Sequence, residues 1–159
     1  MPRRLLLLPL LALAACATPP APLKGNYAPL SPELAAHREA VGDLVRWGGT
    51  LVRATPEPGR TCFELVGREL DARGRPREVD RSAGRFVACR AGFYDPEVFA
   101  EGRAVTVTGR IDGFETRRVG EYDYRQPRVA ADVVYLWPER REVEVIHAPY
   151  PYRYGYWWW

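Results

Sequence analysis

The stretch LVRWGGTLVRA, Leu44 to Ala54, is apolar and β-branched around a Gly48-Gly49 pair. Such a run predicts a strand. Glycines in a strand interior mark a bulge, a tight bend or a close backbone approach. A strand that bends sharply at its middle suits a small curled sheet better than a flat one. Its neighbours extend the pattern. TPEPG (Thr55–Gly59) predicts a turn, and RTCFELVGREL (Arg60–Leu70) a second strand with Phe63 and Leu65 on one face and Glu64 on the other. DARGRPREVDRSAG (Asp71–Gly84) is a polar connection, and RFVACRAGF (Arg85–Phe93) a third strand.

YDPEVFAEG (Tyr94–Gly102) predicts one or two helical turns, with Asp95 as N-cap, Pro96 at the first position and Gly102 as the stop. RAVTVTGRI (Arg103–Ile111) alternates cleanly, Val105 and Val107 against Thr106 and Thr108. DGFE (Asp112–Glu115) predicts a turn, DVVYLWP (Asp132–Pro138) a final strong strand, and REVEVIH (Arg141–His147) an edge strand. Upstream, SPELAAHREAV (Ser31–Val41) opens a helix, with Ser31 as N-cap, Pro32 at the first position and Glu33 in the first turn, ending near Gly42. The order strand, strand, strand, short helix, strand, strand is that of an OB-type barrel. The expected fold is therefore mainly β: an OB-like barrel of five to six strands with one short helix between strands, plus an N-terminal helix. Fifteen prolines and 14 glycines agree with a loop-rich β fold.

The first residues, MPRRLLLLPLLALAAC, follow the plan of an export signal: positive Arg3-Arg4, an apolar Leu5–Leu13 run, and small residues before Cys16. The apolar run is far short of the roughly 20 residues a spanning helix needs. LAAC matches the bacterial lipobox, so Cys16 is the expected diacylglycerol acceptor and new N-terminus. Two or more acyl chains anchor a protein stably. Removal of Arg3 and Arg4 leaves 21 basic against 20 acidic residues, so no general attraction to nucleic acid is expected. ATPPAPLKGNYAPLSP (Ala17–Pro32) reads as a semi-rigid tether of about 3.1 Å per residue where polyproline-like. The expected organisation is a signal peptide over 1–15, lipidated Cys and tether over 16–32, barrel domain over 33–148 and aromatic tail over 149–159.

Several of these segments together resemble one family. VRWGGTLV (45–52), GRPREVDRSAGRFVACRAGFYDPEVF (74–99), GRAVTVTGRIDG (102–113), VGEYDY (119–124) and VAADVVYLWP (129–138) resemble the Slp (starvation lipoprotein) family of bacterial outer-membrane lipoproteins. The resemblance implies a starvation- or stationary-phase lipoprotein of the outer membrane, and it implies no catalytic residues or cofactor. Resemblance to bacterial lipoproteins also bears on sorting. Ala17 and Thr18, rather than Asp, follow Cys16, which favours the outer membrane with the body in the periplasm. Acylated Cys16 would bind outer-membrane lipid, and an envelope protein is a further candidate partner.

Few residues invite chemistry. Cys62 and Cys89, outside the family's pattern, fall on adjacent predicted strands in an oxidising compartment and are either a disulfide or two buried thiols. A bond closing that loop would contribute about 3.5 kcal/mol. No Cys-x-x-Cys, metal motif, phosphate loop or serine motif is present, and His37 and His147 are too few for zinc. Glu121 and Asp123 share one strand face and would be either an acid-base pair or ion-pair partners of Arg117, Arg118 or Arg125. Trp47, Phe86 and Tyr135 would be stacking surfaces for an oligosaccharide if exposed, and barrel core if buried. The chain closes on YRYGYWWW, where Tyr152, Tyr154, Tyr156, Trp157, Trp158 and Trp159 are candidates for membrane or partner contact. Tyrosine and tryptophan favour the bilayer interface; a flap packed on the barrel and a partner-binding peptide are the alternatives. The function expected is non-catalytic, in envelope structure or stress, with an OB-type binding module as the alternative.

Overall fold

A computed structural model describes residues 18–140. Five strands form a closed barrel: β1 (Leu44–Glu57), β2 (Arg60–Arg68), β3 (Arg85–Ala91), β4 (Ala104–Val119) and β5 (Tyr122–Leu136), in the order β1-β2-β3-β5-β4. All neighbours are antiparallel except β3 and β5, whose short parallel ladder joins Val87–Cys89 to Arg128–Ala130. The fold is the expected mainly-β, OB-like barrel.

The Gly48-Gly49 pair closes the barrel. Gly48, Gly49 and Thr50 pair with β2 on one edge and β4 on the other, so β1 serves both sheets at this point. A Cβ at Gly49 would collide with the Val66 carbonyl oxygen, so only glycine lets the strands approach so closely. A register shift between Leu51 and Arg53 adds curl.

Inward-facing side chains fill the interior. Trp47, Leu51, Phe63, Leu65, Phe86, Ala88, Val105, Val107, Ile111 and Val129 form one buried cluster. The Trp47 and Phe86 rings meet edge to face at 5.3 Å, and the Trp47 indole N–H donates to the Leu30 carbonyl at 2.6 Å. Trp47 and Phe86 are therefore core, not stacking surfaces; Tyr135 is half-buried against Trp137, with ring centroids 4.8 Å apart.

Three local features depart from the sequence-based expectations. The helix α1 (Pro32–Arg38) starts as expected, with the Ser31 hydroxyl accepting from the Leu34 N–H. It stops before Gly42, because Glu39 turns left-handed (φ 51°) and Arg125 grips that end, donating to the Ala36 carbonyl and the Glu39 carboxylate. The short helix between β3 and β4 is a single turn, within the one or two expected, with the Phe99 N–H donating to the Asp95 carbonyl and the Glu97 N–H to the Asp95 carboxylate. DGFE is no turn but the interior of β4, where a register shift between Ile111 and Gly113 absorbs the irregularity. The chain reverses later, at Gly120, whose φ of +61° suits glycine.

The tether is the third correction. Over its described part, Thr18–Pro32, it lies along the barrel. Leu23 is fully buried, its carbonyl accepts from Arg46, and the Ala28 N–H donates to Leu44. Burying Leu23 and capping Trp47 through Leu30 outweigh the freedom of a loose proline-rich chain. The expected edge strand Arg141–His147 lies outside the described residues.

Candidate functional site

The charged outer face of the β4–β5 hairpin is the first region with converging functional groups. Beyond the barrel, β4 and β5 continue as a two-stranded arm, Phe114–Val119 paired with Tyr122–Pro127. Strand alternation puts Glu115, Arg117, Tyr124 and Gln126 on its outer face, beside Glu64 of β2 and Arg85 of β3. Glu64 binds Arg85 at 3.1 Å and Arg117 at 3.7 Å, and Arg117 also binds Glu115. A shallow cleft of about 450 Å³ lies here, lined by Val52, Arg53, Glu64, Arg85, Arg117, Arg118 and Val119. Most of its cations are already matched by carboxylates, and Arg118 binds Glu121 at 2.8 Å. Gln126 is buried with neither amide atom bonded to another described group.

Of the two readings of Glu121 and Asp123, the structure shows ion pairing with arginine for Glu121 and no acid-base pair. Glu121 sits in the reversal and binds Arg118, whereas Asp123 is opposite Arg118 in the ladder and exposed. His37 lies on α1, beside a separate cleft with Tyr122 and Tyr124; His147 lies outside the described residues. Among the described residues no three His, Cys, Asp or Glu side chains converge for a metal ion.

Cys62 of β2 and Cys89 of β3 face each other directly in the ladder and are joined as a disulfide, with Cα atoms 4.1 Å apart. Phe63 and Leu65 point into the barrel, so by alternation Cys62 points to the outer side, where it is nonetheless buried.

The second convergence is a loop that holds the two ends of the described chain. In the connection between β2 and β3, the Asp71 carboxylate accepts from the Arg73 and Arg75 backbone N–H groups, both at 2.9 Å. This folds a tight turn with Gly74 at φ +81°. The Gly74 carbonyl accepts from the Thr106 hydroxyl at 2.7 Å, and that hydroxyl oxygen accepts from the Trp137 indole N–H at 2.9 Å. Arg75 donates to the Pro138 carbonyl and lies over the Trp137 ring. A Cβ at Gly74 would also touch Pro19 and Leu23. The sequence marks this loop only as a polar connection and places Trp137 on a strand. Their meeting links residues about 30 and 60 positions apart, and no local pattern announces such contacts.

The family model for the Outer membrane lipoprotein Slp family matches residues 13–159. This chain belongs to the Slp family. Among similar proteins, outer membrane protein Slp of Escherichia coli K12 is 29% identical over 151 residues, covering 92% of this chain and 80% of that protein. The uncharacterized lipoprotein YeaY of the same strain is 34% identical over 119 residues, 72% of this chain and 61% of that one. A small single-stranded DNA-binding protein from Streptomyces coelicolor overlays with a TM-score of 0.39 at 15% identity, over 60% of this chain and 94% of that chain; so loose a fit has no bearing on function. As an Slp-family member the protein is an outer-membrane lipoprotein. No helix among the described residues is long and apolar enough to cross a membrane. Cys16 and the six aromatic residues of the tail lie outside the described residues.

Proposed function

We propose that this Slp-family protein is anchored through acylated Cys16 in the outer membrane, with its body in the periplasm, and acts there by contact rather than by catalysis. Its role is in envelope structure or in withstanding starvation. One observation carries the non-catalytic reading: the barrel interior is solid. Trp47, Phe63 and Phe86 occupy the space where an enclosed ligand would sit. In the outer cleft Arg85, Arg117 and Arg118 are already paired with carboxylates. The alternative reading, an OB-type module for an oligosaccharide, loses Trp47 and Phe86 as stacking platforms. The Cys62–Cys89 bond suits an oxidising compartment. The tail residues Tyr152, Tyr154, Tyr156, Trp157, Trp158 and Trp159 supply a second contact, with the bilayer interface as the favoured surface and an envelope protein as the other.

Mass spectrometry of the mature protein tests the anchor. The expected N-terminal peptide begins at a triply or doubly acylated Cys16. An unmodified chain, or one starting elsewhere, would sink the proposal.

A further inference from the structure

Both ends of the described chain meet one loop. Pro19 and Leu23 border Gly74, while Pro138 accepts from Arg75 and Trp137 is bonded through Thr106 to Gly74. The pole is tied further by Arg103, which donates to the Trp137 carbonyl, and by the Ala104 carbonyl, which accepts from the Trp137 N–H. We propose that this Gly74–Trp137 pole is the docking face of the barrel against an anionic phospholipid surface, and that the β4–β5 hairpin tip points away from it.

The inference rests on the anchoring of Cys16 proposed above, and chain length does the rest. Ala17 is the single residue between Cys16 and Thr18. Consecutive Cα atoms are about 3.8 Å apart, so Cys16 cannot stand more than about 8 Å from Thr18. Thr18 adjoins Pro19, which already touches the Gly74 loop. No free spacer remains, because the proline-rich segment runs along the barrel from that loop to α1. An acyl anchor at Cys16 therefore draws the loop itself onto the lipid.

Charge at the pole fits that surface. Most of its carboxylates are engaged: Glu78 pairs with Arg140, Glu139 with Arg103, and Asp71 caps the loop backbone, while Glu101 stands exposed beside Gly102. Lys24, just after the turn that buries Leu23, and Arg73, just before Gly74, are exposed and have no ion-pair partner among the described residues. Unpaired cations within a Debye length of anionic lipid are attracted to it. The hairpin reversal at Gly120 lies at the other end of β5, whose 15 residues make about 50 Å of curved strand.

The test uses the full acylated chain in vesicles of phosphatidylethanolamine and phosphatidylglycerol. A photoreactive benzophenone residue replaces Lys24 or Arg73 at the pole, and Arg118 or Tyr122 at the hairpin tip; all four side chains are exposed, so the fold should tolerate each. Lipid adducts are counted by mass spectrometry, and the same spectra report acylation of Cys16. Several-fold more lipid adducts at 24 and 73 than at 118 and 122 are expected, falling when phosphatidylglycerol is replaced by phosphatidylcholine. Equal yields at both ends, more at the hairpin tip, or adducts between two protein copies in place of lipid, on an acylated chain, would overturn the docking face and leave the anchor standing. An unacylated Cys16 would overturn both.

Discussion

The two halves of the β4–β5 ladder are built on opposite principles. From Ala104 to Ile111, β4 buries Val105, Val107 and Ile111 in the barrel core. After Phe114, which still packs on the core, the same strand from Glu115 to Val119 is held by charge: Glu115–Arg117, Arg117–Glu64, Arg118–Glu121, with Arg125–Glu39 and Arg128–Asp112 beside it. Apolar burial scales with area and is largely indifferent to salt, whereas half-exposed ion pairs are screened. One strand thus carries a rigid, salt-insensitive half and a salt-tunable half. The core-held half adjoins the loop where Leu23 and Trp137 meet Gly74.

Substitutions can break this contrast, and the barrel half should respond most. Phe86→Ala, which empties a fully buried ring position beside Trp47, should cost about 3–5 kcal/mol in urea-unfolding stability, unchanged by added salt. A loss below about 1 kcal/mol would mean the interior is less tightly packed than its contacts indicate. Next comes the disulfide. Replacing Cys62 and Cys89 by serine together should cost about 3.5 kcal/mol, from reopening a loop with a sequence separation of 27 in the unfolded chain. Equal stability with and without reductant in the wild type would show the bond to be absent in solution.

The arm should respond less, and with salt. Glu64→Gln removes the carboxylate shared by Arg85 and Arg117 and should cost about 1–2 kcal/mol at low salt, after allowance for the partial exposure of both arginines. The gap to wild type should narrow as salt rises; a gap that stays constant would refute the electrostatic account of the arm. Smallest of all, Arg118→Ala at the reversal breaks a highly exposed pair and should change stability by less than about 0.5 kcal/mol.

This contrast also separates what the sequence reveals from what it hides. The barrel half is legible because its signals are local: Gly48-Gly49 marks the bend, Val105 and Val107 alternate with threonines, and Ser31-Pro32 starts α1. The arm is not legible. Its alternating faces carry Glu115, Arg117 and Arg125 rather than a hydrophobic period, so Asp112–Glu115 reads as a turn although the strand passes straight through. The proline-rich segment misleads for another reason. Its composition predicts a free spacer, and only the tertiary fold provides the pocket that buries Leu23 and the indole that binds Leu30. The Gly74–Thr106–Trp137 relay is invisible for the same cause, since it joins side chains that only barrel closure brings together.

The most direct measurement of the central claim is density-gradient fractionation of envelopes from cells making the wild type or Cys16→Ala with an otherwise functional export signal. The account predicts that the wild type travels with the outer membrane and that the variant, folded and disulfide-bonded, appears in the soluble periplasmic fraction. A Cys16→Ala protein still held in the outer membrane would contradict it, because the contacts of the tail and the pole would then suffice as an anchor without the acyl chains.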